Sequence, residues 1–255
     1  MERLQAWRAL QAAHPTFIPL EPICTGIPAF DAAMGGGLNR GQIYEVYGPE
    51  SSGKTTLALF LSRCVQEHSG VCVWVDADRS LDASYAATCG INKDRFYVSE
   101  SPDLEHSFQI LERLAASGAV DWLVIDSLTA LPLEAELRGK FCDDFLIQRD
   151  EFIRQALHHL EQTLQRTRAT VLIISQTRHR TGHIYQADQA STASLALKLH
   201  SAARLELTST GLITKNHHVV GQGLRIRIVK HQNAPILLTI NVDIMYNQGI
   251  NMMSS

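Results

Sequence analysis

The chain has 255 residues, which is enough for one large α/β domain but not for two domains of ordinary size. Hydrophobic residues make up 45% and charged residues 19% of the sequence, a composition that excludes a disordered chain and is typical of a globular protein with a buried core. The formal net charge of −3 excludes a strongly basic nucleic-acid-binding domain, so any contact with DNA must depend on local basic patches.

The cysteines and the apolar segments indicate the cellular compartment. The five cysteines form no C-x-x-C pair, and several lie in apolar periodic segments: Cys24, Cys64, Cys72, Cys89 and Cys142. We expect reduced thiols in the core of a cytosolic protein. No apolar stretch approaches the roughly 18 residues of a membrane span, and the N-terminus carries charges where a secretory signal has an apolar centre. The sequence therefore predicts a cytoplasmic protein without membrane contact.

The N-terminal segment, residues 2–13, predicts a short amphipathic helix with Leu4, Trp7 and Leu10 on one side. The prolines of "HPTFIPLEP" end it. A helix this short is not stable alone in water, so its apolar face must dock, and another subunit is one candidate partner.

From about residue 20 onward, apolar strands alternate with amphipathic helices. The strands "VCVWVDAD", "WLVIDS" and "VLIISQ" are continuous apolar runs, which indicates burial on both faces. We therefore predict an α/β fold whose mainly parallel sheet is flanked by helices on both sides. Beyond residue 200, alternating stretches such as "LRIRIVKH" predict an antiparallel extension of the sheet.

A phosphate-binding motif lies between the predicted strand "GQIYEVYG" and the helix that follows it. The stretch "YGPESSGKTT" matches the pattern G-x-x-x-x-G-K-[ST] with Gly48, Gly53, Lys54 and Thr55. Glycines let backbone N–H groups converge on a phosphate chain, the lysine provides a cation for the β- and γ-phosphates, and the threonine hydroxyl can ligate Mg²⁺. An ordinary glycine turn is the alternative, but the order strand, loop and helix favours a phosphate loop.

Polar residues end three of the predicted strands, where ligands bind in open α/β sheets. Asp126 ends "WLVID" and is a candidate to bind the Mg²⁺ ion through its coordinated water. The structural alternative is that Asp126 caps the N-terminus of a helix. Asp76 and Asp78 end "VCVWVDAD" and are candidates to activate the water that attacks the γ-phosphate. Gln176 ends "VLIISQ", where its amide could sense the γ-phosphate, orient water or serve a purely structural role.

Four stretches of the sequence resemble the bacterial RecA recombinases: "ICTG" at 23–26, "YGPESSGKTTL" at 47–57, "SGAVDWLVIDSLTAL" at 117–131 and "ALKL" at 196–199. The resemblance implies a RecA-like P-loop NTPase core that binds ATP between neighbouring subunits. It also implies a filament on single-stranded DNA and strand exchange in DNA repair. On this basis we assign residues 1–20 to an N-terminal oligomerisation helix and linker, with Phe17 or Ile18 linking subunits. We assign residues 21–255 to a RecA-like ATPase core and expect no C-terminal domain.

The resemblance also implies roles for individual residues. Asp82 and Tyr85 match the residues that contact adenine, Gln176 matches the nucleotide-sensing glutamine, and Thr55 with Asp126 matches the Mg²⁺ site. The predicted nucleotide-binding residues are Gly48, Pro49, Glu50, Ser51, Ser52, Gly53, Lys54, Thr55, Thr56, Asp82 and Tyr85. The predicted catalytic residues are Asp78, Gln176 and Lys230.

Two positions depart from the family pattern. The water-activating acid is usually Glu, whereas Asp78 is one methylene shorter and holds its carboxylate back by roughly 1.5 Å. A displacement of about 1 Å can cost on the order of a hundredfold in rate, so we predict slow hydrolysis. The family has two lysines, two residues apart, that reach the γ-phosphate across the subunit interface. In this chain Lys230 matches the first, but Gln232 stands at the second position. One charge that stabilises the transition state is therefore lost.

The predicted DNA contacts lie in two loops. Residues 177–194 are polar, lack apolar periodicity and have the length of the family's second DNA-binding loop. Arg178 and Arg180 suit phosphates, and Ile184 with Tyr185 can wedge between or stack on bases, whereas a disordered surface loop is the alternative.

The first loop, around "LRGKFCDDFLIQRDEF", predicts weaker or rearranged binding of single-stranded DNA. Glu151 and His158 stand where the family carries arginines, and Arg149 and Arg154 are nearby substitutes.

These features predict a slow DNA-dependent ATPase with ATP and Mg²⁺ as cofactors. Its predicted partners are single-stranded DNA and further copies of itself, and a repair protein is a third candidate. The first hypothesis is a minimal recombinase. The alternative is a RecA-like nucleotide-binding accessory protein, for example in translesion repair, without strand exchange. A small-molecule kinase has little support, because no lid or acceptor pocket is recognisable.

Overall fold

The computed structural model describes residues 21–139, 145–177, 193–231 and 238–251. The strands are β1 (Ile43–Gly48), β2 (Cys72–Asp76), β3 (Phe96–Glu100), β4 (Trp122–Asp126), β5 (Thr170–Gln176), β6 (Ala203–Lys215), β7 (His218–His231), β8 (Leu238–Met245) and β9 (Gly249–Asn251). The α-helices are α1 (Pro28–Ala33), α2 (Lys54–Glu67), α3 (Ala83–Thr88), α4 (Leu104–Ser117), α5 (Glu134–Leu137), α6 (Phe145–Thr167) and α7 (Ala193–His200). Short 3₁₀ turns cover Lys93–Arg95 and Leu128–Ala130.

The nine strands found in the described residues belong to one sheet, in the order β3-β2-β4-β5-β1-β6-β7-β8-β9. The strands from β3 to β6 pair in parallel, and those from β6 to β9 pair antiparallel. The predicted fold class, a mainly parallel sheet with an antiparallel extension, is confirmed. The edge strand β3 was not predicted.

Both faces of the parallel region are buried, because side chains on one strand alternate between two cores. On β4, Trp122 and Val124 pack into the core shared with α1 and α2. Leu123 and Ile125 pack into the core shared with α4 and α6. This packing explains the continuous apolar runs, and it leaves the strand ends as the places where polar side chains can gather.

A buried ion pair crosses the middle of the sheet. Glu45 on β1 and Arg204 on β6 are 2% and 5% exposed, and their side chains form a salt bridge. The Ser175 hydroxyl on β5 donates to Glu45 Oε1 at 2.7 Å, and the Arg204 guanidinium lies 4.7 Å from the centre of the Tyr47 ring. These contacts join the parallel strands to the antiparallel extension beside the strand ends of β1 and β5.

The predicted burial of the cysteines is confirmed for Cys64, Cys72 and Cys89, which are free thiols in the core. It is wrong for Cys24, which is exposed and whose Sγ donates to Asp31 Oδ2 at 3.0 Å. Within the described ranges, no helix is long and apolar enough to cross a membrane. Cys142, the predicted helix at 2–13, Phe17 and Ile18 lie outside the described residues.

Candidate functional site

The phosphate motif forms the connection between β1 and α2, as predicted. Gly53 adopts the left-handed conformation, with φ of 84°, and α2 begins at Lys54. A Cβ atom at Gly53 would lie 2.6 Å from Ile244 Cδ1 on β8, and one at Gly48 would overlap the Leu207 carbonyl oxygen on β6. The two motif glycines therefore allow close packing of the loop on the antiparallel extension, in addition to the approach of a phosphate.

Two polar groups of the loop fit a bound phosphate chain. The Ser52 hydroxyl is buried and has no hydrogen-bond partner among the described residues. Lys54 Nζ donates to the Pro49 carbonyl at 2.6 Å, so its ammonium group lies over the loop. Burial lowers the pKa of Lys54, whereas Asp126, Glu50 and Asp78 oppose that shift. A buried hydroxyl that lacks a partner and a desolvated ammonium group are both stabilised when an anion binds between them.

A carboxylate cluster faces the first turn of α2. Asp76 and Asp126 end the neighbouring strands β2 and β4 in register, and Thr55 Oγ1 donates to Asp126 Oδ2 at 2.7 Å. Burial raises the pKa of Asp126 to about 6, and the charges of Asp78 and Asp76 add to this shift. Hydroxyl and carboxylate oxygens are the ligands that Mg²⁺ prefers, and a divalent cation would relieve the crowding of negative charge. Thr55 and Asp126 therefore fit the predicted metal site.

Asp78 and Gln176 lie on opposite sides of the turn that follows β4. The Ser127 hydroxyl donates to Asp78 Oδ2 at 3.2 Å, and burial raises the pKa of Asp78. Gln176 pairs in register with Gly48, and its backbone N–H donates to Thr129 Oγ1 at 3.2 Å. The structure thus brings the predicted acid and the predicted sensor to the same edge of the sheet as the phosphate loop.

The predicted adenine contacts also lie beside α2. The Asp82 carboxylate caps α3, where Oδ1 accepts from the backbone N–H groups of Ser84 and Tyr85 at 2.7 and 3.2 Å. The Tyr85 hydroxyl lies 2.9 Å from Thr56 Oγ1 in the first turn of α2. Asp82 therefore fixes the start of α3, and α3 places the half-buried Tyr85 ring next to the phosphate loop.

Lys230 is at the other end of the antiparallel extension. Its Nζ donates to the carbonyls of Lys198 at 2.6 Å and Leu199 at 3.0 Å, so that it caps the C-terminus of α7. Burial lowers the pKa of Lys230, and the neighbouring Arg204 lowers it further. The reach of Lys230 to a neighbouring subunit's nucleotide remains a prediction.

The predicted DNA contacts Arg178, Arg180, Ile184 and Tyr185 lie outside the described residues, as does Gln232. Their roles therefore remain predictions.

Arg149 and Arg154, the two arginines near the predicted first DNA loop, both form hydrogen bonds within the chain. The Arg149 guanidinium donates to the carbonyls of Leu131 and Leu128, the latter at 2.7 Å. Arg154 forms a two-pronged contact with Glu151.

Two features close to the site were not predicted from the sequence. One is the hydroxyl pair of Ser127 and Thr129, for which the available signal was their position directly after Asp126. The other is a polar groove of about 530 Å³ on the outer face of the antiparallel extension, lined by Glu206, Thr208, Arg225, Arg227, Thr239 and Asn241. The alternation of polar and apolar residues in β6 to β8 was the available signal for that groove.

The sequence is similar to sequences of known proteins. The family model of the RecA N-terminal domain matches residues 10–251. The chain is 39% identical over 235 residues to Protein RecA of Caulobacter vibrioides, and the aligned region covers 92% of this chain and 66% of that protein. It is 39% identical over 237 residues to Protein RecA of Paramagnetospirillum magneticum, covering 92% and 66%. It is 40% identical over 233 residues to that of Symbiobacterium thermophilum, covering 91% and 67%. The chain thus spans about two thirds of the length of these relatives.

Proposed function

Because the chain belongs to the RecA family, we propose that it is an ATP-dependent recombinase core that forms filaments on single-stranded DNA and promotes homologous pairing and strand exchange in DNA repair. The observation that carries this proposal is the convergence of Lys54, Thr55, Asp126, Asp78 and Gln176 at one edge of the sheet. Since the substrate is DNA, we place the protein in the cytoplasm.

ATP hydrolysis at this edge needs phosphate binding, a metal and an activated water. The phosphate loop and Lys54 would bind the β- and γ-phosphates, and Thr55 with Asp126 would hold Mg²⁺. When bound, the metal would neutralise charge on the phosphates. Asp78 would accept a proton from the attacking water, and the Gln176 side chain would contact the γ-phosphate. The short Asp78 side chain supports slow turnover.

The proposal includes assembly with further copies of the chain. The edge strand β3 exposes two large side chains, Tyr97 at 57% and Val98 at 51%. An exposed edge with apolar side chains favours pairing with another chain, and a second copy would cover it. The segment with Phe17 and Ile18 is the proposed contributor from that copy. ATP would then lie between subunits, where Lys230 from the neighbour would approach the γ-phosphate.

The DNA-binding part of the proposal depends on the segment that follows Gln176. Strand β5 ends at Gln176, and the segment with Arg178 and Arg180 begins one residue later. A movement of Gln176 on binding the γ-phosphate would therefore be transmitted directly to this segment. We propose that these arginines bind DNA phosphates and that Ile184 and Tyr185 contact the bases.

The decisive experiment is fluorescence anisotropy of a labelled single-stranded oligonucleotide, titrated with protein and with ATP, ADP or a non-hydrolysable ATP analogue across a salt series. We expect cooperative binding that requires the triphosphate and weakens with salt. The variant Arg178→Ala/Arg180→Ala should lose this binding. The control variant Arg113→Ala/Arg166→Ala removes equal charge from exposed positions on α4 and α6 and should bind as the parent does.

Electron microscopy of the same mixtures tests assembly, and strand-exchange assays test the full activity. Filaments that need both ATP and DNA are expected. Tight ATP binding without assembly on any DNA would contradict the recombinase proposal and indicate the accessory role, in which a repair protein is the partner.

A further inference from the structure

The turn that follows β4 is hydrogen-bonded to two parts of the site. We call residues 127–131 the junction turn. On one side, the buried Ser127 hydroxyl donates to Asp78 Oδ2 at 3.2 Å. Within the turn, the Ser127 and Thr129 hydroxyl oxygens lie 3.2 Å apart. On the other side, Thr129 Oγ1 accepts from the Gln176 backbone N–H at 3.2 Å. The junction turn thus links the acid to the sensor.

The hydrogen atoms of this chain of contacts can point in only one direction. A hydroxyl group has a single hydrogen, and the hydrogen of Ser127 is donated to Asp78. Thr129 must then donate its own hydrogen to Ser127, and this leaves its lone pairs for the Gln176 N–H. All three donors point toward the Asp78 carboxylate, so the bonds polarise one another in the same sense.

Arg149 on α6 forms hydrogen bonds to the backbone of the junction turn. Its guanidinium donates to the carbonyls of Leu128 and Leu131, which flank the exposed Thr129. Because the guanidinium is a rigid planar fork, two donors to two carbonyls of one turn fix both the position and the orientation of that turn. The position of the Thr129 hydroxyl is therefore set by α6, which carries Arg149 in its first turns.

We propose that Thr129 is a positioning residue for ATP hydrolysis, which holds Gln176 at a fixed distance from Asp78 and is itself held in place by Arg149. This inference rests on the proposed function, because it assigns Asp78 and Gln176 to the ATPase reaction. The two hydroxyl bonds of Ser127, at 3.2 Å, are long, as catalytic hydrogen bonds often are before the substrate binds, and we expect them to tighten when ATP binds. In this role Thr129 acts through Gln176 and Asp78, so it is a positioning residue and not a catalytic one.

The first test compares Thr129→Val with Thr129→Ser. Valine has the shape of threonine without the hydroxyl, whereas serine keeps the hydroxyl. With single-stranded DNA present, Thr129→Val should lower kcat for ATP by about tenfold, the order expected when one hydrogen bond that positions Gln176 is lost, with KM changed less than about twofold. Thr129→Ser should stay within about threefold of the parent. The control Thr167→Val removes a comparable hydroxyl from the far end of α6, where it bonds to the Thr163 carbonyl, and should match the parent. A Thr129→Val variant with the kcat of the parent would overturn the inference.

The second test examines the role of Arg149. Arg149→Lys keeps the charge but loses the fork, and we expect it to lower kcat in the same way as Thr129→Val. Because both changes act on the same contact, the double variant should be no slower than the slower single variant. Effects that multiply would show that Arg149 acts elsewhere and would overturn its part in the inference.

A third measurement does not depend on activity. Hydrogen–deuterium exchange of peptides that cover β5 should show less protection in Thr129→Val than in Thr129→Ser when a non-hydrolysable ATP analogue is bound. Equal protection in the two variants would overturn the inference. If the parent chain hydrolyses no ATP, the proposed function fails, and this exchange measurement still decides whether Thr129 holds the end of β5.

Discussion

The ion pair between Glu45 and Arg204 allows a quantitative prediction of stability. Glu45→Gln preserves the shape of the side chain and an oxygen acceptor for Ser175, but it leaves the Arg204 guanidinium without its carboxylate inside the sheet. Breaking a buried pair by removing one partner typically costs about 3–5 kcal/mol of unfolding free energy. This is a large part of the roughly 5–15 kcal/mol that stabilises an ordinary domain. At roughly 2–4 °C per kcal/mol, Tm should fall by about 6–20 °C.

Urea denaturation followed by circular dichroism measures the effect. The double variant Glu45→Met/Arg204→Met should regain most of the lost stability, because it buries apolar groups of similar length in place of two charges. Glu134→Gln is the control, since it breaks an ion pair with Arg138 whose side chains are 51% and 67% exposed. The unfolding free energy of this control should differ from that of the parent by less than about 1 kcal/mol. A loss of under 1 kcal/mol for Glu45→Gln would refute the reasoning.

Three further predictions concern the nucleotide site. Asp78→Glu should raise ATP turnover on the order of tenfold, because it moves the carboxylate toward the water. Lys54→Ala should weaken ATP binding by about a hundredfold in equilibrium titrations, because it removes a charge-assisted contact to the phosphates. Without metal, the pKa of Asp126 is raised from 3.8 to about 6 by burial, so the folded chain holds a proton that the unfolded chain has lost. The unfolding free energy should therefore decrease as the pH rises through this window, by up to about 3 kcal/mol from this group, and Asp126→Asn should remove that decrease.

Each of these predictions has an outcome that contradicts it. An Asp78→Glu variant no faster than the parent would mean that the site is built around aspartate. Unchanged ATP affinity in Lys54→Ala would contradict the phosphate-loop assignment, with Lys93→Ala as the control for loss of an exposed charge. In EDTA, parallel pH profiles for the parent and Asp126→Asn would show that burial does not raise the pKa of Asp126.

The fold was predictable where local sequence carries the signal. Continuous apolar runs identify β2, β4 and β5, because both faces of these strands are buried. The phosphate loop was predictable because its residue types follow from the chemistry of a phosphate chain. Strand β3 was missed because it is an edge strand whose side chains are mostly exposed, so it has neither a continuous nor a regular apolar pattern.

The rest of the site depends on contacts between residues far apart in sequence. Nothing local indicates that Glu45 pairs with Arg204, since the two lie on strands that become neighbours only in the folded sheet. Arg149 was a candidate for DNA contact because it lies close to positions where the family carries arginines, whereas its guanidinium binds two backbone carbonyls of the junction turn. The roles of charged side chains were therefore less predictable than the positions of apolar ones.

The packing of the phosphate loop has a consequence for synthesis of the chain. Gly48 lies against Leu207 on β6, and Gly53 lies against Ile244 on β8. The motif is complete once Thr55 has been translated. The strands against which it packs, β6 and β8, leave the ribosome only after the antiparallel extension has been made. Nascent chains arrested before β6 should not bind ATP, whereas chains extended beyond residue 251 by a linker that spans the ribosomal exit tunnel should, which a nucleotide-crosslinking assay on stalled ribosomes can measure. Strands β6 and β8 would therefore determine when the phosphate-binding motif, which is translated before them, becomes functional.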